Sequence, residues 1–196
     1  MNLAAEYSNL GLNPRVLEQP TPRSVANSLS EFRPQIIHLC PSIKLATNGV
    51  SLDFEGTSLP WSAVAKLLEQ FGYEHKIRPL VILDVPRPSV IHEAVKQLIL
   101  RNAIAASLMR ITNTAAILAT GLGERFLGQR LLTKSLLTSI AAGDSFTEMA
   151  KQIRNTAREY PAGVSAKVAG TPRVFSSLIG PYGTALFTPD PSGVIL

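Results

Sequence analysis

Three short apolar runs, each bounded by chain-breaking or polar residues and separated by helical stretches, constrain this chain most. They are Gln35-Ile-Ile-His-Leu-Cys40, Pro79-Leu-Val-Ile-Leu-Asp84 and Thr114-Ala-Ala-Ile-Leu-Ala-Thr120. Runs of this length without period-two alternation read as strands buried on both faces. Such strands belong to parallel sheets covered by helices, so the expected fold is α/β, a mostly parallel sheet with helices on both faces. At 196 residues the chain has room for one such domain and an appended segment.

The intervening stretches carry helix signals. A short helix over Met1–Leu12 ends at Gly11 and Pro14, and Arg15–Glu18 reads as a short strand. Thr21 is placed to cap a helix with Pro22 in its first position and Val25, Ala26, Leu29 and Phe32 along one face. Gly49–Gly56 alternates apolar Val50, Leu52 and Phe54 with polar neighbours, which predicts a half-buried, peripheral antiparallel strand. Ser58 and Pro60 then open a helix closed by Gly72. Helices are expected over Ile91–Leu100, Ala103–Met109, Glu124–Ala142 and Ser145–Arg158, the last capped by Asp144 or Ser145. Residues 1–160 thus form the α/β domain. The remaining 161–196 hold five Pro and five Gly in 36 residues, with strand-like Arg173–Leu178 and Thr184–Phe187 around Gly180–Gly183, and read as a hairpin or edge addition.

Composition excludes several function classes. One Cys and three His leave no disulfide framework, no Cys-rich zinc site and a single candidate thiol, Cys40. No signal peptide or span of about 18 apolar residues is present in the sequence, so the expected compartment is the cytoplasm. Charged residues are only 17%, which suits a surface partly covered by a partner. The net charge of +5 lies entirely in the second half: 9 basic against 9 acidic residues up to position 100, then 10 against 5. Lys151, Arg154 and Arg158 share one helical face. They could meet an acidic partner, but without a like-charge run or interleaved aromatics a solvated face is favoured and nucleic-acid binding is not expected.

The candidate chemistry is thin. Gly121–Gly128 follows a strand and opens a helix, but it matches neither phosphate-binding glycine spacing, and Glu124 would put a negative charge where a phosphate should sit. His38 and Cys40 share a strand face, about 7 Å apart at the backbone, too far for a thiolate–imidazole pair. Both read as buried core groups. Asp84 ends the most strand-like run, where open α/β sheets bind ligands, but Pro86 and Pro88 remove backbone donors beside it and Arg87 offers it a charge partner. Its structural reading, as a cap or ion pair, is favoured over catalysis. His75 and His92 have no partners at ligand spacing. No metal or cofactor is expected.

The order of segments carries a further signal. Pro34-Gln-Ile-Ile-His-Leu39, Val50–Phe54, Leu80-Val-Ile-Leu83, Ala116-Ile-Leu-Ala-Thr120 and the helix pair ending Ser139-Ile-Ala-Ala-Gly-Asp-Ser-Phe-Thr-Glu-Met-Ala-Lys-Gln-Ile-Arg154 resemble, over roughly residues 10–158, the CHAT family of caspase-like domains. That family belongs to the clan of caspases and separase and often stands beside TPR repeats. The resemblance implies a caspase-like three-layer sandwich. It also implies that His38 matches the earlier of two histidines, that the catalytic histidine position falls on Ser42, and that the nucleophilic cysteine position falls on Pro86. Both members of the dyad are then replaced. Ser42 cannot accept a proton as imidazole does, and Pro86 has no nucleophilic atom. Glu124 aligns loosely with an acidic family residue.

Family members also begin with a central strand ahead of the first helix that residues 1–196 do not include; on this resemblance either that strand lies outside these residues or the sheet is completed elsewhere, for instance by a partner's strand. The function expected is that of an inactive pseudo-peptidase working as a protein-interaction or regulatory module in a prokaryotic signalling or defence assembly. Its partner would be an active protease or a TPR-containing protein. Its binding cleft would use His38, Ser42, Lys44, Asp84, Arg87 and Glu124, or the basic face Lys151/Arg154/Arg158. The alternative is a hydrolase-type or nucleotide-binding enzyme with Asp84 and Glu124 at adjacent strand ends and Ser42 contributing. Two such carboxylates could hold hydrated Mg²⁺.

Overall fold

The structure is a computed structural model. It describes residues 3–47, 49–54, 56–76, 79–86, 100, 103–104, 106–107, 115–121, 131–159, 173–176 and 194–195, with backbone alone for some of them. These residues form a mixed α/β arrangement of one six-stranded sheet and one three-stranded sheet.

The first helix, α1, spans Leu3–Asn9, and Pro14–Arg15 forms the short strand β1. Helix α2 (Pro22–Phe32) starts as its sequence dictates. The Thr21 amide donates to Ser24 Oγ at 2.8 Å, and the Ser24 amide donates to Thr21 Oγ1 at 3.1 Å. This reciprocal pair satisfies amides that the first helical turn leaves open. The helix ends on Arg33 in a left-handed conformation (φ 47°), with Pro34 next.

Strands β2 (Ile36–Leu39), β6 (Leu80–Pro86) and β7 (Ala115–Gly121) are the three apolar runs, and they lie side by side in parallel. Ile36 pairs with Leu80 and Leu39 with Leu83, while Leu80 pairs with Ala115 and Pro86 with Gly121. Strand β8 (Arg173–Ser176) closes one side antiparallel to β7. On the other side the order is β2, then β9 (Val194–Ile195), then β1, all parallel. The C-terminal segment therefore supplies an outer strand and an interior one. The expected hairpin partner Thr184–Phe187 lies outside the described residues, as does the helix expected from Ile91, of which only Leu100 is described and helical.

Between β2 and β6 the chain builds the antiparallel sheet of β3 (Ser42–Ala46), β4 (Gly49–Phe54) and β5 (Thr57–Pro60), followed by α3 (Trp61–His75). The peripheral antiparallel strand expected over Gly49–Gly56 is β4. Two expectations need correction here. Pro60 does cap the helix, which begins at Trp61, but Ser58 and Pro60 also belong to a strand: Leu59 pairs with Leu52 and Pro60 with Ser51, so a proline-led helix start hides an edge strand. Gly72 does not end α3 but is buried within it, and the left-handed cap is Lys76 (φ 57°).

The core follows from strand alternation. Ile37, Val81 and Leu83 point to one face, where Leu29 of α2, Val64, Leu68 and Phe71 of α3 and Ile43, Leu52 and Leu59 of the small sheet pack on them. Ile36, His38, Leu80 and Ile82 occupy the opposite face and are also buried. At roughly 1.5–3 kcal/mol for each large apolar side chain fully buried, these two layers dominate the stabilisation. Farther along, α4 (Leu131–Ala142) and α5 (Phe146–Glu159) pack against each other. The α5 cap is Ser145: its amide and hydroxyl donate to Glu148 Oε2 at 2.9 and 2.7 Å, and the Glu148 amide donates back to Ser145 Oγ at 3.3 Å.

Candidate functional site at the ends of the parallel strands

Because β2 and β6 run parallel as neighbours, their C-terminal ends emerge at one edge of the sheet, the place where open α/β sheets take ligands. At that edge the chain leaves β2 through Cys40 and Pro41 and enters β3 at Ser42. It leaves β6 at Asp84–Pro86, in register with Ala119–Gly121 of β7. The sheet thus brings the backbones of Cys40, Ser42, Asp84 and Pro86 to one side. Arg87 and Glu124 lie outside the described residues, so the Asp84–Glu124 pairing does too.

His38 does not join that edge. Its ring is buried at 1% exposure, with Nδ1 2.9 Å from the Tyr7 hydroxyl oxygen of α1, and the two rings stand edge to face with centroids 6.0 Å apart. It is an internal group of the sheet's α1 face and is no cleft residue. Cys40 departs from expectation in the other direction. It lies one residue past the last paired position of β2 and is exposed, not buried.

Lys44 is exposed but engaged, since its ammonium group donates a hydrogen bond to Asp53 across the β3–β4 pair. That hydrogen bond holds the Asp53 carboxyl below the usual range against the opposing effect of desolvation, with lesser help from the ammonium charge and from Ser58. Lys44 therefore serves the hairpin first. The alternation of β4 marked Asp53 as a solvent-side residue, but nothing in β3 announced its partner.

On α5, Lys151 is exposed, and helical geometry puts positions 151, 154 and 158 opposite the buried Met149 and Ile153. Only the backbone is described at Arg154 and Arg158. His75, at the end of α3, rests against Phe71 with ring centroids 5.2 Å apart. It borders a shallow groove of about 70 Å³ between α2 and α3, together with Ser30, Gln70 and Glu74. The Gln70 amide donates to the Glu74 carboxylate at 2.7 Å.

A second cavity of about 30 Å³ lies between β2, α2, α3 and the small sheet, bordered by Val25, Ile37, Leu52, Phe54 and Val64 among other apolar side chains. Without polar groups to hold water it is a dry packing space. Among the described residues no group of three His, Cys, Asp or Glu side chains is placed to hold a metal ion, and no helix is long and apolar enough to cross a membrane. Comparison with protein-family models, with curated proteins and with solved structures finds no match for this chain.

Proposed function

We propose that this chain is a catalytically inactive caspase-like domain, a pseudo-peptidase that acts as a protein-interaction or regulatory module in a prokaryotic signalling or defence assembly. The observation that supports this reading is a juxtaposition. The positions that the resemblance assigns to the dyad, Ser42 and Pro86, follow and end two adjacent parallel strands at the same edge of the sheet. A dyad needs that geometry, yet the residue types there supply neither a proton acceptor at neutral pH nor a nucleophile. The mixed α/β layering with a peripheral antiparallel sheet is compatible with a caspase-like sandwich.

The partner on this reading is an active protease or a TPR-containing protein. It would dock at the strand-end edge, through Ser42, Lys44, Asp84 and Arg87, or on the basic face of Lys151, Arg154 and Arg158. The test is affinity capture from the protein's own source with the tagged full chain, compared with the K151E/R154E/R158E and K44E/R87E chains, with captured proteins identified by mass spectrometry. A partner that the unaltered chain retains and one reversed chain loses supports the reading. Hydrolysis of a peptide substrate library by the purified chain, abolished by Cys40→Ala, would overturn it.

A further inference from the structure

We propose that the groove between the C-terminal halves of α2 and α3 is a recognition site for a primary ammonium group, the side chain of a lysine on a partner protein. It is a surface distinct from both the strand-end edge and the basic face of α5.

Chain direction sets the electrostatics of the groove. Helix α2 ends at Phe32 and β2 begins at Ile36, while α3 ends at His75 and β6 begins at Leu80. With links this short, both helices end beside the edge at which these two parallel strands begin, away from Ser42 and Pro86. The two helices also pack on each other. Two neighbouring helix C-termini, each the negative pole of its helix, therefore meet beside the groove and favour a cation there.

The polar rim is rich in acceptors. The Gln70 amide nitrogen donates to Glu74 Oε1 at 2.7 Å, which leaves Gln70 Oε1 and Glu74 Oε2 to accept. The Ser30 hydroxyl of α2 lines the same groove. The rim thus offers three oxygen acceptors, the complement of the three N–H donors of an ammonium group. A planar guanidinium, which pairs best with both oxygens of one carboxylate, finds one of them already engaged. No cation of the chain takes the place among the described residues. Lys76, two positions along, lies over the Tyr73 ring at 4.4 Å from its centroid, and Arg15 pairs with Glu31.

The floor suits the stem of a lysine. Leu29 and Phe71 border the groove from the core, Leu67 lies with them, and the His75 ring walls one end against Phe71. A lysine carries its charge on a chain of methylenes that lies along apolar surface while the head stays polar. The groove holds about 70 Å³. At about 10–15 Å³ for each water-sized group, that is room for about five, the four methylenes and the nitrogen of one lysine side chain.

The test is titration of the full chain with the peptide acetyl-Gly-Lys-Gly-amide, followed by heteronuclear NMR at the backbone amides of Ser30, Gln70, Glu74 and His75. These signals should move along one saturable curve with half-saturation in the millimolar range, as expected for a single side chain in a shallow site. Counterparts carrying norleucine or Nε-acetyllysine keep the stem and lose the charge, and they should not saturate. The arginine counterpart should bind about threefold more weakly. Glu74→Gln should lower the affinity about fivefold, and about 0.5 M salt should lower it by a similar factor. Glu69→Gln, which removes an exposed carboxylate of the same helix outside the groove, should leave it unchanged. Ser30→Ala should lower it about twofold, and keeps the comparison valid if Glu74→Gln disturbs the end of α3. Absence of a saturable shift, equal binding of the norleucine or arginine peptide, unchanged affinity in both Glu74→Gln and Ser30→Ala, or an equal loss in Glu69→Gln overturns the proposal.

Discussion

Tyr7 and His38 lie 2.9 Å apart, phenol oxygen to Nδ1, and this buried contact joins α1 to the interior face of β2. Removing only the hydroxyl takes a hydrogen bond away from a buried ring nitrogen, which costs about 1–3 kcal/mol, whereas replacing both groups by apolar ones of similar shape costs less than the sum. Tyr7→Phe should therefore lower stability by about that amount in urea denaturation, and Tyr7→Phe with His38→Leu should recover part of it in a double-mutant cycle. Strict additivity would show that the two side chains do not depend on each other.

The cap of α5 gives a pH-dependent prediction. The Glu148 carboxylate accepts from the hydroxyl and amide of Ser145, and these bonds hold its ionisation below the usual carboxylate value. A carboxyl whose folded value is depressed contributes stability that is present above its unfolded value, near 4.5, and is lost as pH falls through the folded value. In the unaltered chain stability should fall on acidification below about pH 4.5, and part of that slope should vanish in Glu148→Gln. Ser145→Ala should cost about 1 kcal/mol at neutral pH. Identical acid titrations of the unaltered chain and Glu148→Gln would refute the assignment.

Arg33 and Lys76 end their helices with φ of 47° and 57°, a conformation that costs an L residue roughly 1 kcal/mol and glycine almost nothing. Arg33→Gly and Lys76→Gly should each raise the thermal midpoint by a few degrees in calorimetry, a gain of a few tenths to about 1 kcal/mol. A fall in both midpoints would mean that the arginine and lysine side chains contribute more than their backbone geometry costs.

The Lys44–Asp53 pair is exposed at the lysine end and belongs to the β3–β4 hairpin. Exposed pairs contribute about 0.2–1 kcal/mol and are screened by salt. Lys44→Ala should be destabilising by that small amount at low ionic strength and nearly neutral at about 1 M salt. A salt-independent loss would point instead to the packing of the lysine stem.

The legibility of the sequence differed from element to element for physical reasons. Thr21, Pro22 and the three apolar runs announced α2 and the parallel core because cap chemistry and burial on both faces act locally. Strand β5 was hidden because Pro60 is both a helix-start signal and a tolerated edge residue. Strand β9 was hidden because two residues have no periodicity to read. The location of His38 depends on Tyr7, 31 positions away, and no local pattern encodes that contact. The exposure of Cys40 turns on a single residue, since pairing of β2 stops at Leu39 and the apolar run does not. At the strand-end edge the topology followed from the apolar runs, whereas the engagement of Lys44 by Asp53 required a hairpin that the short β3 did not signal.

The place of β9 between β1 and β2 also sets an order of events during synthesis. Pro14 and Val194 are 180 positions apart, so β1 leaves the ribosome long before the strand that anchors it exists. At about 5–20 residues per second, that interval is about 10–40 s. Once β2 has been made it presents a buried-type edge, Ile36–Ile37, for the rest of that interval, with its neighbour β9 still unmade. A nascent chain of this kind is most exposed to strand-mediated aggregation, and most open to a chaperone that binds extended apolar segments, in the seconds before Val194 and Ile195 are added.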